Sequence, residues 1–174
     1  MAVHMKNKTL RLALCAVLSA LGVVFIYFGS LLEVLDMSAA VIASVACIFA
    51  SIEFGGAYPW LIYAVTGILS LILVPNPMSA LMYILFFGFY PILRHSLDKK
   101  GRVFGWILKE LVFNLSLAVL LLLWKFVFST EAEPFVLDLI FIVLAEIVFP
   151  VYDIALGRIS RMYMTKIRHK LKKK

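Results

Sequence analysis

From Leu10 to Leu32 the chain reads LRLALCAVLSALGVVFIYFGSLL, a run in which Arg11 is the sole charged side chain. A helix of this length and polarity fits the hydrocarbon core of a bilayer, which takes roughly 20 apolar residues to cross. Nothing at its end resembles a small-residue cleavage site leading into a soluble domain, so it reads as a retained span and not a signal peptide. Outward from it the pattern recurs. Met37–Ile52 is short and rich in Ala and Ser, and stops at the turn Glu53-Phe54-Gly55-Gly56. Tyr58–Val74 opens with Pro59, acceptable in a first helical turn, and closes at Pro75-Asn76-Pro77. Met78–Leu93 follows, with Pro91 near its end; a basic loop, Arg94–Arg102, leads to Val103–Phe128; an acidic turn, Ser129–Pro134, leads to Phe135–Leu156. The reading is an all-α membrane protein with a single domain of six spans and a basic tail, Gly157–Lys174.

Composition agrees. The 174 residues are 64% hydrophobic, with a mean hydropathy of +1.02. A soluble fold of this size has too little polar surface to cover so much apolar side chain. Of the 17 Lys and Arg residues, all but Lys109 and Lys125 fall in three short segments. These are Lys6–Arg11, Arg94–Arg102 and the stretch after Gly157, whereas Glu33, Asp36, Glu131 and Glu133 lie in the alternate turns. Basic residues resist translocation, so the charge pattern predicts both termini in the cytoplasm of a multi-pass plasma-membrane protein. Trp60, Trp106 and Trp124 stand near span ends, as interfacial anchors do. The net charge of +7 is thereby a topological signal and not one for nucleic acid. The tail is either an amphipathic helix on the anionic inner leaflet or a partly disordered basic extension. Cys15 and Cys47 lie in apolar stretches with no pairing pattern and read as small packing residues.

The first span carries Ala13, Ala16 and Ala20; Ala16 and Ala20 form a small-xxx-small pair that lets another helix approach at backbone level. Packing within the bundle and docking of a separate protein both account for it. Ionisable residues inside spans cost free energy and need partners. Lys125 is ~5 Å in from Phe128 and Asp138 ~6 Å in from Pro134, at similar depths on adjacent antiparallel spans. They form either a structural ion pair or part of an outer ligand site together with Glu33, Asp36, Asn76 and Trp124. Deeper, Glu110 and Asn114 stand one turn apart, and Glu146, ~18 Å from the start of its span, reaches a similar level. With Lys109 these make an intramembrane polar network; a proton relay is the alternative.

The layout resembles the substrate-binding S components of energy-coupling-factor transporters. Those proteins are similar in size, with six spans and both ends inside. The alanine pattern of their first helix is matched by Ala16 and Ala20 in LALCAVLSALGVV, and the glycine-bearing turn between their second and third helices by Glu53-Phe54-Gly55-Gly56-Ala57. The resemblance covers most of residues 9 to 156 in layout, though the first outer loop is very short. It implies a small-molecule ligand bound from outside and docking of the first helix on a transmembrane coupling protein driven by ATPases. The chain has no GxxxxGK[ST] loop of its own. A scaffold subunit of a cell-envelope complex, similar to the MreD-like rod-shape proteins, shares a related layout. A membrane enzyme would have to rely on Glu110 and Glu146. His4, His95 and His169 lie outside the spans, and with no HExxH and no clustered ligands the sequence points to no metal, no cofactor and no catalytic set.

Overall fold

The computed structural model describes residues 8–32, 35–128 and 135–167. These are helical almost throughout, and among the described residues there is no strand. The helices are α1 (Lys8–Leu31), α2 (Asp36–Glu53), α3 (Tyr58–Leu73), α4 (Met78–Met82), α5 (Tyr90–Leu97), α6 (Arg102–Leu123) and α7 (Phe135–Met162). Single π-helical turns extend α4 over Tyr83–Phe87, α6 over Trp124–Phe128 and α7 over Tyr163–Ile167. Among the described residues, three segments, Lys8–Leu31, Asp36–Glu53 and Val103–Phe126, are long and apolar enough to cross a membrane; Tyr58–Leu73 and Met78–Arg94 are apolar but shorter.

The chain divides into two compact units, Met1–Leu111 and Val112–Lys174. In the first, α1 packs on α2 and α3, and α4 packs on α2. The seam is made of small side chains: Cys15, Ser19, Gly22 and Gly29 on α1, Ala40, Ala43 and Cys47 on α2, Thr66 and Gly67 on α3, all buried. A Cβ on Gly22 would stand 2.9 Å from Thr66 Cγ2, and one on Gly29 would collide with the Cβ of Ala39. The outward faces are the reverse: Phe28, Ile68, Ile72 and Leu73 are exposed. A large apolar exterior around a core of small and hydroxyl-bearing residues is the distribution suited to a lipid solvent. In the second unit, the rings of Phe113 (α6) and Phe149 (α7) stack with centroids 4.5 Å apart.

Local chemistry sets the helix ends. Asp36 lies in the first turn of α2, where the helix dipole favours a negative charge. Gly55 and Gly56, at φ +62° and +59°, end that helix in the left-handed region. Pro59 opens α3, and the Asn76 side-chain oxygen accepts a hydrogen bond from the Met78 N–H at 3.1 Å, an Asx turn that leads into α4.

Two stretches differ from the sequence reading. The fourth apolar segment is one apolar helix over Met78–Arg94 but not a uniform α-helix: a π turn over Tyr83–Phe87 and a turn at Gly88 and Phe89, both right-handed, interrupt its regular hydrogen bonding, and Pro91 falls in the first turn of α5. The Gly88 backbone is pressed against aromatic rings, where a Cβ would stand 2.6 Å from Tyr63 and 2.9 Å from Tyr83. The basic loop is also mostly helical: α5 runs to Leu97, a 3₁₀ turn spans Asp98–Lys100, and the reversal is concentrated in Gly101 at φ +99°. Beyond Leu156, α7 continues through the start of the basic tail to Met162, carrying Pro150 in its interior.

The Gly29 contact can be tested by overpacking. Gly29→Val should lower unfolding stability by about 1–3 kcal/mol, because side-chain atoms must enter space held by Ala39. Gly56→Asn, at an open left-handed position, should leave the melting temperature nearly unchanged. Equal melting curves for the two variants in one detergent would refute the close α1–α2 approach.

Candidate functional site

Three groups of residues merit attention, and the first is the face of α1. Cys15, Ser19, Gly22 and Ile26 face inward, whereas Ala13, Ala16 and Ala20 are exposed. The packing within the bundle that Ala16 and Ala20 suggested is therefore carried by a second small-residue face of the same helix. What remains is an outward strip, Ala13-Ala16-Ala20, flanked by exposed Val17, Leu21 and Val24. Such a strip admits another helix at backbone distance.

The second group holds the residues expected at the outer ends of the spans. Asp36 is buried in the first turn of α2. Asn76 is half-buried; its side chain accepts from the Met78 N–H in the turn before α4, and its N–H donates to the Ser30 hydroxyl across 3.4 Å. Both polar groups are thus engaged in helix-end structure. Trp124 and Lys125 lie on the π turn after α6 and are exposed. Glu33 lies outside the described residues, as does the side chain of Asp138, whose backbone belongs to α7.

Of the expected polar network, Lys109 lies at the basic end of the first unit. Lys109 is buried, and its Nζ lies 2.6 Å from Oδ1 of Asp98 in the 3₁₀ turn. Arg94 flanks the other oxygen of Asp98 at 3.7 Å. Gly105 and Lys109 stand one turn apart on one face of α6, and Gly101 makes the turn just before it. A Cβ on Gly105 would sit 2.7 Å from the Leu97 carbonyl oxygen. The turn, the close approach and the ion pair together clasp α5 to α6. Glu110 and Glu146 are half-buried on α6 and α7, and Asn114 is exposed. Pro150 removes the backbone donor that would bond the Glu146 carbonyl, a place where α7 is free to bend.

The third group lies in the interior of the first unit and was not singled out from sequence. The Tyr83 hydroxyl and the Cys47 thiol share a hydrogen bond of 3.3 Å, with Thr66 as a further side-chain partner of Tyr83. The Thr66 hydroxyl donates to the Ser19 carbonyl at 3.4 Å, and the Tyr63 hydroxyl to the Ile84 carbonyl at 2.9 Å within the π turn. The available signal was spacing: Thr66 and Ser70, and Ser79 and Tyr83, are pairs one helical turn apart in otherwise apolar stretches. Among the described residues, no three His, Cys, Asp or Glu side chains gather to hold a metal ion. In comparisons with known protein families, curated proteins and solved structures, nothing matches this chain.

The Asp98–Lys109 pair is asymmetric, because Lys109 is buried and Asp98 is half-exposed. Asp98→Asn leaves a cation in a low-dielectric site and should cost roughly 1–3 kcal/mol, as loss of a charged hydrogen bond does. Lys109→Met leaves only a hydrated carboxylate beside Arg94 and should cost less. Thermal unfolding of the two variants decides the order; the reverse order would mean that Lys109 does not depend on Asp98.

Proposed function

We propose that this chain is a multi-pass plasma-membrane subunit of an energy-coupling-factor-like importer. In this reading it binds a small solute from the outer side and docks through α1 on a transmembrane coupling protein. The observation that carries it is the exposure of Ala13, Ala16 and Ala20 while a separate small face of α1 does the internal packing. Lipid alone does not call for a strip of small residues; a closely approaching helix does. The expected topology has six spans and both ends in the cytoplasm, on the basis of hydropathy and the clustering of Lys and Arg. Energy would come from ATPases among the partners.

The same strip would serve a scaffold subunit of a cell-envelope complex, so the partners decide between the two. Purified from its own membranes, the chain should bring down a coupling protein and ATPases. Ala16→Leu with Ala20→Leu should reduce that association at least about tenfold, equivalent to about 1.4 kcal/mol, with the melting temperature preserved because both positions face outward. Recovery of envelope-synthesis proteins alone, unaffected by the two leucines, would favour the scaffold. The topology has its own check. Cysteines introduced at Lys100 and Lys174 should react with an impermeant maleimide only from the cytoplasmic side, and labelling from opposite sides would break the six-span arrangement.

A further inference from the structure

Ser70 on α3 and Ser79 on α4 are fully buried, and neither hydroxyl has a hydrogen-bond partner among the described residues. The Ser19 hydroxyl on α1 shares this state, whereas several other hydroxyls are met within their own helices. Ser44, Ser51, Ser116 and Thr165 donate to carbonyls three or four residues back in their own helices, the common way for a helical hydroxyl to be satisfied in an apolar setting. Ser79 is in the first turn of α4, so the carbonyl four residues back lies outside its helix.

The two serines belong to one level of the fold. Helices α3 and α4 run antiparallel on either side of Pro75-Asn76-Pro77 and pack on each other. Thr66 and Tyr83 are side-chain partners across them. One turn, ~5.4 Å, nearer the Asn76 turn, the same register sets Ser70 opposite Ser79. One level further out, the Asn76 N–H meets the Ser30 hydroxyl. The polar groups thus form a column from the Asn76 end toward the middle of the unit, with unengaged hydroxyls at Ser70, Ser79 and, beside Thr66, Ser19.

We propose that Ser70 and Ser79 are the polar contacts of a binding site for a small, uncharged, hydrogen-bonding solute that enters from the Asn76 end. This rests on the importer reading and names the chemical class of its solute. A hydroxyl both donates and accepts, matching an amide or hydroxyl group. Among side chains that the structure describes, the cations of the first unit, Lys8, Arg11, Arg94, Lys100 and Lys109, lie away from the Asn76 end of their helices. An anion at this level would be buried without a countercharge. Ala40, Ala43 and Ala80, all buried on α2 and α4, keep the neighbouring walls low.

The test pairs thermal unfolding with saturation-transfer NMR on the full chain in nanodiscs. Acetamide and acetate serve as neutral and anionic probes of matched size. Acetamide should receive saturation and acetate little. Ser70→Ala with Ser79→Ala should reduce the acetamide signal at least about threefold and abolish the rise in melting temperature that acetamide produces in the unchanged chain. Single Ser→Cys variants, close in shape, control for folding and should reduce the signal partially. Equal saturation by acetate, an unaltered signal in the double variant, or no acetamide signal at all would overturn the proposal. Partner capture is measured separately. Capture without acetamide binding removes this site and leaves the importer reading, whereas acetamide binding without capture does the opposite.

Discussion

The contact on which the first unit depends is the approach of α1 to α2 and α3 with almost no side chain between them. Gly22 lies against Thr66 and Gly29 against Ala39, at separations that a single added methyl group would violate. In water, two such helices would be driven together by burying apolar surface. Next to lipid that drive vanishes, and what remains is dispersion, tight packing and hydrogen bonds between helices. Each of these rises steeply as backbones come closer. Small residues on the seam are therefore the source of the attraction, and large residues such as Phe28 and Ile72 are free to face outward.

The same closeness brings polar groups into register. Thr66 can reach the Ser19 carbonyl because Gly22 beside it has no side chain. Tyr83 can reach Cys47 because α2 presents alanines to α4. The π turn over Tyr83–Phe87 fits this arrangement. It shifts the helical register by one residue, and Tyr63 donates to the Ile84 carbonyl within it. Packing and polar satisfaction are thus one design, and unengaged hydroxyls within it stand out.

At the basic end the constraint is electrostatic. Asp98 is the carboxylate of a short connection otherwise populated by cations, and it is taken by Lys109 and Arg94. With Asp98 so engaged, Arg94, Lys99, Lys100 and Arg102 leave the connection positive toward its surroundings. It also explains how Lys109 sits among apolar residues: a nearby anion and a glycine-enabled turn reach it there.

Hydropathy along the chain was enough to locate the apolar helices among the described residues, since each is a run of apolar side chains bounded by Gly, Pro or charged residues. The clasp was less legible. Lys109 and Glu110 are neighbours in sequence, but a helix points them 100° apart, and only the fold showed that Lys109 reaches back to Asp98. Nor could spacing tell which small-residue face of α1 packs inward. Cys15-Ser19-Gly22 and Ala13-Ala16-Ala20 have similar periods, and the choice rests on the holes offered by α2 and α3. The hydroxyl column was hidden for the same reason: Ser70 and Ser79 are unremarkable within their own helices. What the amino-acid order determined by itself was which segments are helical and apolar, because those properties are local. Which faces meet, and which buried groups find partners, was decided by tertiary structure, because those depend on residues distant in the chain coming within a few ångströms.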